Sequence, residues 1–487
     1  MIDSISNQQN TWIHTTLSEF CGQRGQSIEP SKTPDSQFEL YSIPSFPTGQ
    51  PEIVSGKQVG SNKQMVTSEC VLLSKINPRI NRVWVVGHFS RHTKIASTEW
   101  IVFPPDKRVE PKFLCYFLQQ NAVRDFLASN VSGVGGSLMR VKPSTLRDFP
   151  FAYPGRDEQS SIVEEIEKQF SRLDEAVANL KRVKANLKRY KASVLKAAVE
   201  GKLTEEWRKA HPDIEPASKL LQHILAERRT RCNVRGKYKE PAKPDMSNLP
   251  PLPEKWTWAS VDQLTAHITS GSRDWTRYYG RGIGTFILAQ NVRLMRLDLS
   301  ERQAVDPPKS DAETARTRVS IGDLLVTIVG AKTGEVCRIP MELVDHFVCQ
   351  SVALLRPLMP ASAKFMELYL ASPENGQAQW KHYIYGQGRP HLSFEQLKMT
   401  AIALPPLAEQ QQIVAEAERR LSIIEELEAA VQANLTRADR LRQSILSQAF
   451  SGRLVGQDSK NVHCSSSVFS VAAESLAGYG NSEPANR

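Results

Sequence analysis

The chain of 487 residues is too long for one ordinary hydrophobic core and implies two to four domains, and its 40% hydrophobic and 23% charged content fits folded globules. No apolar run of eighteen residues occurs and the first ten residues are polar, so neither a membrane-spanning helix nor a signal peptide is predicted and the expected location is the cytoplasm. The net charge of +10 favours a polyanionic partner, while Cys21, Cys70, Cys115, Cys232, Cys337, Cys349 and Cys464, odd in number and never spaced as C-x-x-C, exclude a disulfide framework and a structural zinc site.

In chain order, residues 1–155 read as a first domain of mixed α/β character. Cys70 to Leu73 and Val83 to Val86 are predicted strands, and Lys112 to Leu127 is predicted as one helix. Residues 156–203 carry Ile166, Leu173, Leu180, Leu187 and Val194 every seven positions, the seam of a coiled coil. Residues 204–254 form a linker with a short amphipathic helix at Leu220, Leu221, Ile224 and Leu225. The basic run Arg228-Arg229-Thr230-Arg231 follows, read as a solvated helix end, and then a Pro-rich stretch. Residues 255–406 are a second mixed domain, with strands expected over Leu324 to Val329 and Phe347 to Leu355 and one helix over Lys364 to Trp380. Residues 407–454 repeat the long helix, with Ile424, Val431 and Ile445 in the seam. The Ser-, Asn- and Gly-rich stretch 455–487 is expected to be disordered.

The informative feature is a repeat. Residues 158–203 align without a gap on 409–454, keeping Glu158/Glu409, Gln159/Gln410, Ile162/Ile413, Leu195/Leu446, Ala198/Ala449 and Gly201/Gly452 in register. The likeness extends faintly backwards: Trp12 matches Trp256, and Pro111-Lys-Phe-Leu114 matches Ala363-Lys-Phe-Met366. Each helix would span roughly 65 Å. Neither can bury its stripe alone. The expected fold is therefore α+β: two tandem mixed domains, each followed by a long helix, the helices forming an antiparallel coiled coil with pseudo-two-fold symmetry that holds the domains apart at a set distance. DNA has a backbone dyad, so such a pair of domains suits a split target on one duplex.

Catalytic motifs are missing. An adenine or cytosine amino-methyltransferase needs Asn/Asp-Pro-Pro followed by an aromatic ring, and the chain offers only Asp306-Pro307-Pro308-Lys309. Pro105-Asp106 with Glu110-Pro111-Lys112 is spaced too closely for a nuclease hairpin, and Gly330-Ala-Lys332-Thr333-Gly334 lacks the Walker spacing. The sequence points to binding, with no catalytic residue and no metal site.

The candidate DNA contacts are stretches where cations and amides alternate with apolar residues or follow glycines. In the first domain these are Lys75, Asn77, Arg79 and Asn81, read as one face of an alternating strand, with Arg82 next to them, and Arg140 and Lys142 after Gly133-Val-Gly-Gly136. In the second they are Lys332, then Gln387, Arg389 and His391 around Gly386 and Gly388, and the basic-aromatic cluster Arg273, Trp275, Arg277, Tyr278, Tyr279.

The order domain, long helix, linker, domain, long helix resembles the specificity subunit of type I restriction-modification systems. The segments Leu73-Ser-Lys-Ile-Asn-Pro-Arg-Ile-Asn-Arg-Val-Trp84, Gly201-Lys-Leu-Thr-Glu-Glu-Trp-Arg208, Leu252-Pro-Glu-Lys-Trp256 and Pro405-Pro-Leu-Ala-Glu-Gln410 carry the resemblance. It implies two target-recognition domains reading the parts of a bipartite DNA sequence, helices that set the gap and bind two modification (methyltransferase) subunits, and restriction (motor-nuclease) subunits as further partners. S-adenosylmethionine, ATP and Mg would belong to those partners and none to this chain. The first half departs from the pattern, with Pro154-Gly-Arg-Asp-Glu-Gln159 in place of the Pro-Pro-Leu-Ala-Glu-Gln form. The competing readings are a coiled-coil adaptor that grips proteins and a self-contained nuclease or methyltransferase.

Overall fold

The computed structural model describes residues 12–21, 26–132, 139–233, 238–246, 249–271, 274–308, 310–384 and 390–455. The expected disordered stretch beyond 455, and Gly133–Gly136, lie outside the described residues. The chain forms two compact units, Met1–Leu180 with Ala433–Arg487, and Lys181–Gln432. Among the described residues no helix is long and apolar enough to cross a membrane.

In the first unit, strand Ile13–Thr16 pairs antiparallel with Pro150–Tyr153, bringing the start of the domain beside its end. A five-stranded sheet runs Ser27–Ile28, Lys63–Met65, Thr93–Ser97, Gln37–Tyr41, Glu52–Ser55, with its third and fourth strands parallel. A three-stranded antiparallel sheet has Val71–Ser74 at its centre, between Val83–Val85 and Trp100–Phe103. Every residue of Val71–Ser74 is buried, as expected of a short apolar strand covered on both faces.

The second unit repeats the plan. Thr257–Ser260 pairs with Ala401–Leu404, and an antiparallel sheet runs Thr265–Ser270, Val352–Pro357, Leu324–Thr327, Val336–Arg338. A further sheet places Tyr279–Ile287 between Gln303–Val305 and His346–Val348. Both units are mixed α/β, in agreement with the fold class read from the sequence.

The long helices are Arg156–Val199 and Leu407–Phe450, 44 residues each. Gly201 and Gly452, at φ of 72° and 71°, take the left-handed conformation just past their ends, which an L side chain enters only at a cost. Within the second unit Lys184 donates to Gln432 and Lys191 pairs with Glu425, so numbers rise along one helix as they fall along the other: the pairing is antiparallel. Within the first unit Arg442 pairs with Asp174 and lays its guanidinium 4.2 Å from the centre of the Phe170 ring. The seam residues Ile166, Leu173, Leu187, Val194, Ile424, Val431 and Ile445 are buried, and Leu180 is half-buried.

The ends of the helices belong to the domain cores. Ile162, Val163, Ile166 and Phe170, with Ile445, Leu446 and Ala449, share one apolar cluster with Phe113, Phe117 and Phe151. The repeated positions Leu195/Leu446 and Ala198/Ala449 are buried in both copies, so the sequence identity records a packing requirement met twice.

Two helices expected to be continuous are broken. Lys112 to Leu127 is divided into Pro111–Leu118 and Asn121–Ser129, and Lys364 to Trp380 into Ala363–Ala371 and Gly376–Tyr383. Pro373 explains the second break, because it lacks the N–H that an uninterrupted helix needs. Gln443 of the second long helix holds the first open: its side chain accepts from Asn121 N and donates to Gln119 O. Similarly, Phe347 to Leu355 is interrupted by a turn after Val348.

Candidate nucleic-acid interface

The strand expected to continue through Lys75 to Arg82 stops at Ser74, and those residues form the loop of a hairpin instead. Ser74 N donates to Arg82 O, and Ile80 N donates to Asn77 O across a turn. Pro78 presets the second position of that turn, and Asn77, at φ 47°, is the kind of residue that enters the left-handed region at least cost. The alternation was therefore local composition and did not become a strand face.

Folding brings this loop against a segment distant in sequence. Asn77 N donates to Met139 O at 2.9 Å, Val141 N donates to Lys75 O at 3.0 Å, and Ile76 sits opposite Arg140. The two candidate stretches of the first domain thus form one patch. Within it, Lys75 donates to Thr98 O, Arg82 to Ile76 O, and Arg140 makes a two-pronged contact with Glu99 at 3.0 and 3.1 Å. Asn81 turns inward and donates to Leu118 O, leaving its buried Oδ1 without a partner. Arg79 and Lys142 are exposed and, among the described residues, make no ion pair.

The second unit builds the same arrangement at the same positions of the repeat. The loop after Leu324–Thr327 meets the returning segment through Val329 opposite His391, Gly330 N to Pro390 O at 3.0 Å, and Leu392 N to Ile328 O at 2.9 Å. Lys332 lies in this loop, paired with Glu335 at 3.1 Å. Beside the Val329–His391 contact lies a cleft of about 580 Å³ lined by Ser270, Gly271, Ile328, Val329, Gln350, Ser351, His391 and Phe394. An amide, hydroxyls, an imidazole and an aromatic ring gathered beside a loop are groups that can read a base edge and pack on it. The sequence reading missed Gln350, Ser351 and Phe394, since the first two sit in one turn between strands and the third starts the helix Phe394–Met399, so they share no local pattern.

Arg273, Gln387 and Arg389 lie outside the described residues. Arg277 is exposed and stacks on Tyr278 at 4.8 Å. Trp275, taken with them as a surface aromatic, is a core residue packed on Phe286 and Phe347. The helix over Ala217–Asn233 contains the basic run, but Arg228 is tied to Asp262 and to Thr265 O, and Arg229 pairs with Glu240, so neither is free for phosphate.

Three of the four segments that carry the family resemblance, 201–208, 252–256 and 405–410, converge on one buried carboxylate. Glu409, fully buried, accepts from Trp256 Nε1 at 2.8 Å, from Thr204 Oγ1 at 2.8 Å and from Arg208 Nε at 2.9 Å. Arg208 also donates to Gly201 O, where a Cβ on Gly201 would fall 2.5 Å from the guanidinium. This lock joins the end of the first long helix, the start of the second domain and the start of the second helix. In the first unit Trp12 Nε1 reaches Glu158 at 3.1 Å, the same pair of repeat positions, although Glu158 is exposed. The copies also share an aromatic contact, Trp12 with Phe113 and Trp256 with Phe365, each at 6.2 Å. Lys112–Glu167 and Lys364–Glu418 form equivalent ion pairs.

Two mixed α/β units, each presenting a hairpin loop pinned by a returning segment and each closed on paired long helices, define a class of duplicated binding protein with a built-in helical scaffold. Residues 315–436 match the family described as type I restriction modification DNA specificity domain. The chain is 25% identical over 362 residues to the type I restriction enzyme EcoKI specificity subunit of Escherichia coli, covering 73% of this chain and 68% of that one. It is 24% identical to the StySPI specificity subunit of Salmonella potsdam, covering 72% and 67%. A solved chain described under the assembly and conformational transition of the type I R-M system shares the fold at a TM-score of 0.61 and 19% identity, covering 91% of this chain and 98% of that one. The chain is a relative of the type I specificity subunits.

Proposed function

We propose that this chain is the DNA-reading subunit of a type I restriction-modification system, recognising a bipartite target and directing partner subunits in the cytoplasm while performing no chemistry itself. One observation carries the reading: the hairpin loop and its returning segment recur at equivalent repeat positions in both units, Ile76 with Arg140 and Val329 with His391, in a chain related to specificity subunits. Exposed Arg79 and Lys142 suit phosphate contact, which positions a protein on the duplex, whereas Gln350 and His391 in the cleft suit the edges of bases, which specify sequence. The paired helices set the gap between the two parts of the target and present surfaces to two modification subunits. Methylation with S-adenosylmethionine, and ATP- and Mg-dependent translocation and cleavage, belong to the partners.

Mapping methylated adenines in cells with and without this gene tests the proposal. A split motif that loses methylation on deletion is the expected result. Unchanged methylation, with no sequence preference of the purified chain in a salt-titrated gel shift, would favour the protein-gripping adaptor instead.

A further inference from the structure

The loop between strands Val83–Val85 and Thr93–Ser97 in the first unit is held at several points and yet leaves an aromatic ring in water. Glu39, fully buried, accepts from Ser90 Oγ at 2.5 Å and from Tyr41 Oη at 2.7 Å and pairs with Lys94 at 3.3 Å. Tyr41 Oη accepts from Gly87 N at 3.0 Å, and Lys94 Nζ donates to Ser90 O at 3.0 Å. The Phe89 ring lies so close to Gly87 that a Cβ there would fall 2.7 Å from it, while 54% of Phe89 stays exposed. His88, Arg91 and His92 around it are exposed, the loop contains no acid, and among the described residues Arg91 makes no ion pair. A buried ionic network that fixes a backbone without covering its apolar tip serves presentation better than stability.

We propose that His88–His92 is a second DNA-contact element of the first domain, in which Phe89 enters a groove against the base steps and Arg91 meets the phosphate backbone; this rests on the DNA-reading function above. The loop leads into Thr93–Ser97, and the far end of that strand meets the hairpin patch, where Lys75 donates to Thr98 O. The five-residue strand separates the two elements by roughly 17 Å. That is about half of the ~34 Å helical turn of DNA, the step from one groove to its neighbour on the same face. Apolar tips flanked by cations are the side chains that enter grooves and part base steps.

The test is selection of duplexes from a randomised pool by the purified full-length chain, followed by affinity measurement on the selected duplex. Phe89→Ala is expected to weaken binding about tenfold and to make one part of the split target degenerate, leaving the other part unchanged. Phe89→Trp is expected to restore both, and Arg91→Ala to reduce the slope of log affinity against log salt by about one. If the wild type selects a sequence and Phe89→Ala selects the same one with equal affinity, this element is refuted and the recognition function stands. A wild type that selects nothing removes the function itself, and the loop's role with it.

Discussion

Glu158 and Glu409 occupy the same repeat position in opposite settings, which makes their replacement a controlled experiment. Glu409→Ala would leave the Arg208 guanidinium, itself little exposed, without its carboxylate, and strand the buried Trp256 N–H as well. Removing one partner from a buried ion pair costs about 3–5 kcal/mol, because the remaining charge stays desolvated. At Glu158 the carboxylate is exposed and accepts from Trp12 at 3.1 Å, and water can take its place, so Glu158→Ala should cost about 1 kcal/mol. Calorimetry of the full chain should show Glu409→Ala lowering a transition by on the order of 10 °C and Glu158→Ala by a few degrees at most. Hydrogen exchange should rise at 201–208 and 405–410 in the first variant. Glu409→Gln should fall between, since its amide keeps one acceptor but turns a donor towards Arg208. Equal shifts for the two alanine variants would refute the claim that convergence of the linker and the second helix on this carboxylate fastens the second unit.

Matched seven-residue insertions in both long helices preserve the seam and lengthen the scaffold by about 10 Å, so the gap in the methylated motif should widen by about three base pairs while its specified bases stay the same; a changed base with an unchanged gap would contradict the scaffold. Arg79→Ala and Lys142→Ala should each reduce the salt slope of DNA binding by about one, and Arg140→Ala by less, because Glu99 already occupies that guanidinium; three equal slopes in filter binding would count against the assignment. The Arg419 and Arg420 guanidiniums hold the Glu416 carboxyl down to about 2. Such a group contributes stability above its unfolded value of about 4.3 and loses it as pH falls towards about 2. Glu416→Gln should therefore cost about 0.5 kcal/mol above pH of about 5 and flatten the acid limb of the melting curve between those values; an unaltered acid limb would show the pair to be idle.

The sequence by itself determined the duplication, the two helices and their seam, because heptad spacing and a terminal glycine act through neighbours three and four residues away. It even held the faint matches Trp12/Trp256 and Phe113/Phe365, which become the same aromatic contact in each unit. What only the tertiary structure decided is where distant segments meet. The residues Lys75 to Arg82 look like an alternating strand, and the turn at Asn77-Pro78, together with the segment around Arg140, makes them a pinned loop. The Gly201–Arg208 and Leu252–Trp256 segments look like family markers, and folding turns them into ligands of the single Glu409 carboxylate. Trp275 looked like a surface aromatic because its chain neighbours are basic, but burial depends on what packs from Phe286 and Phe347, which no local pattern encodes.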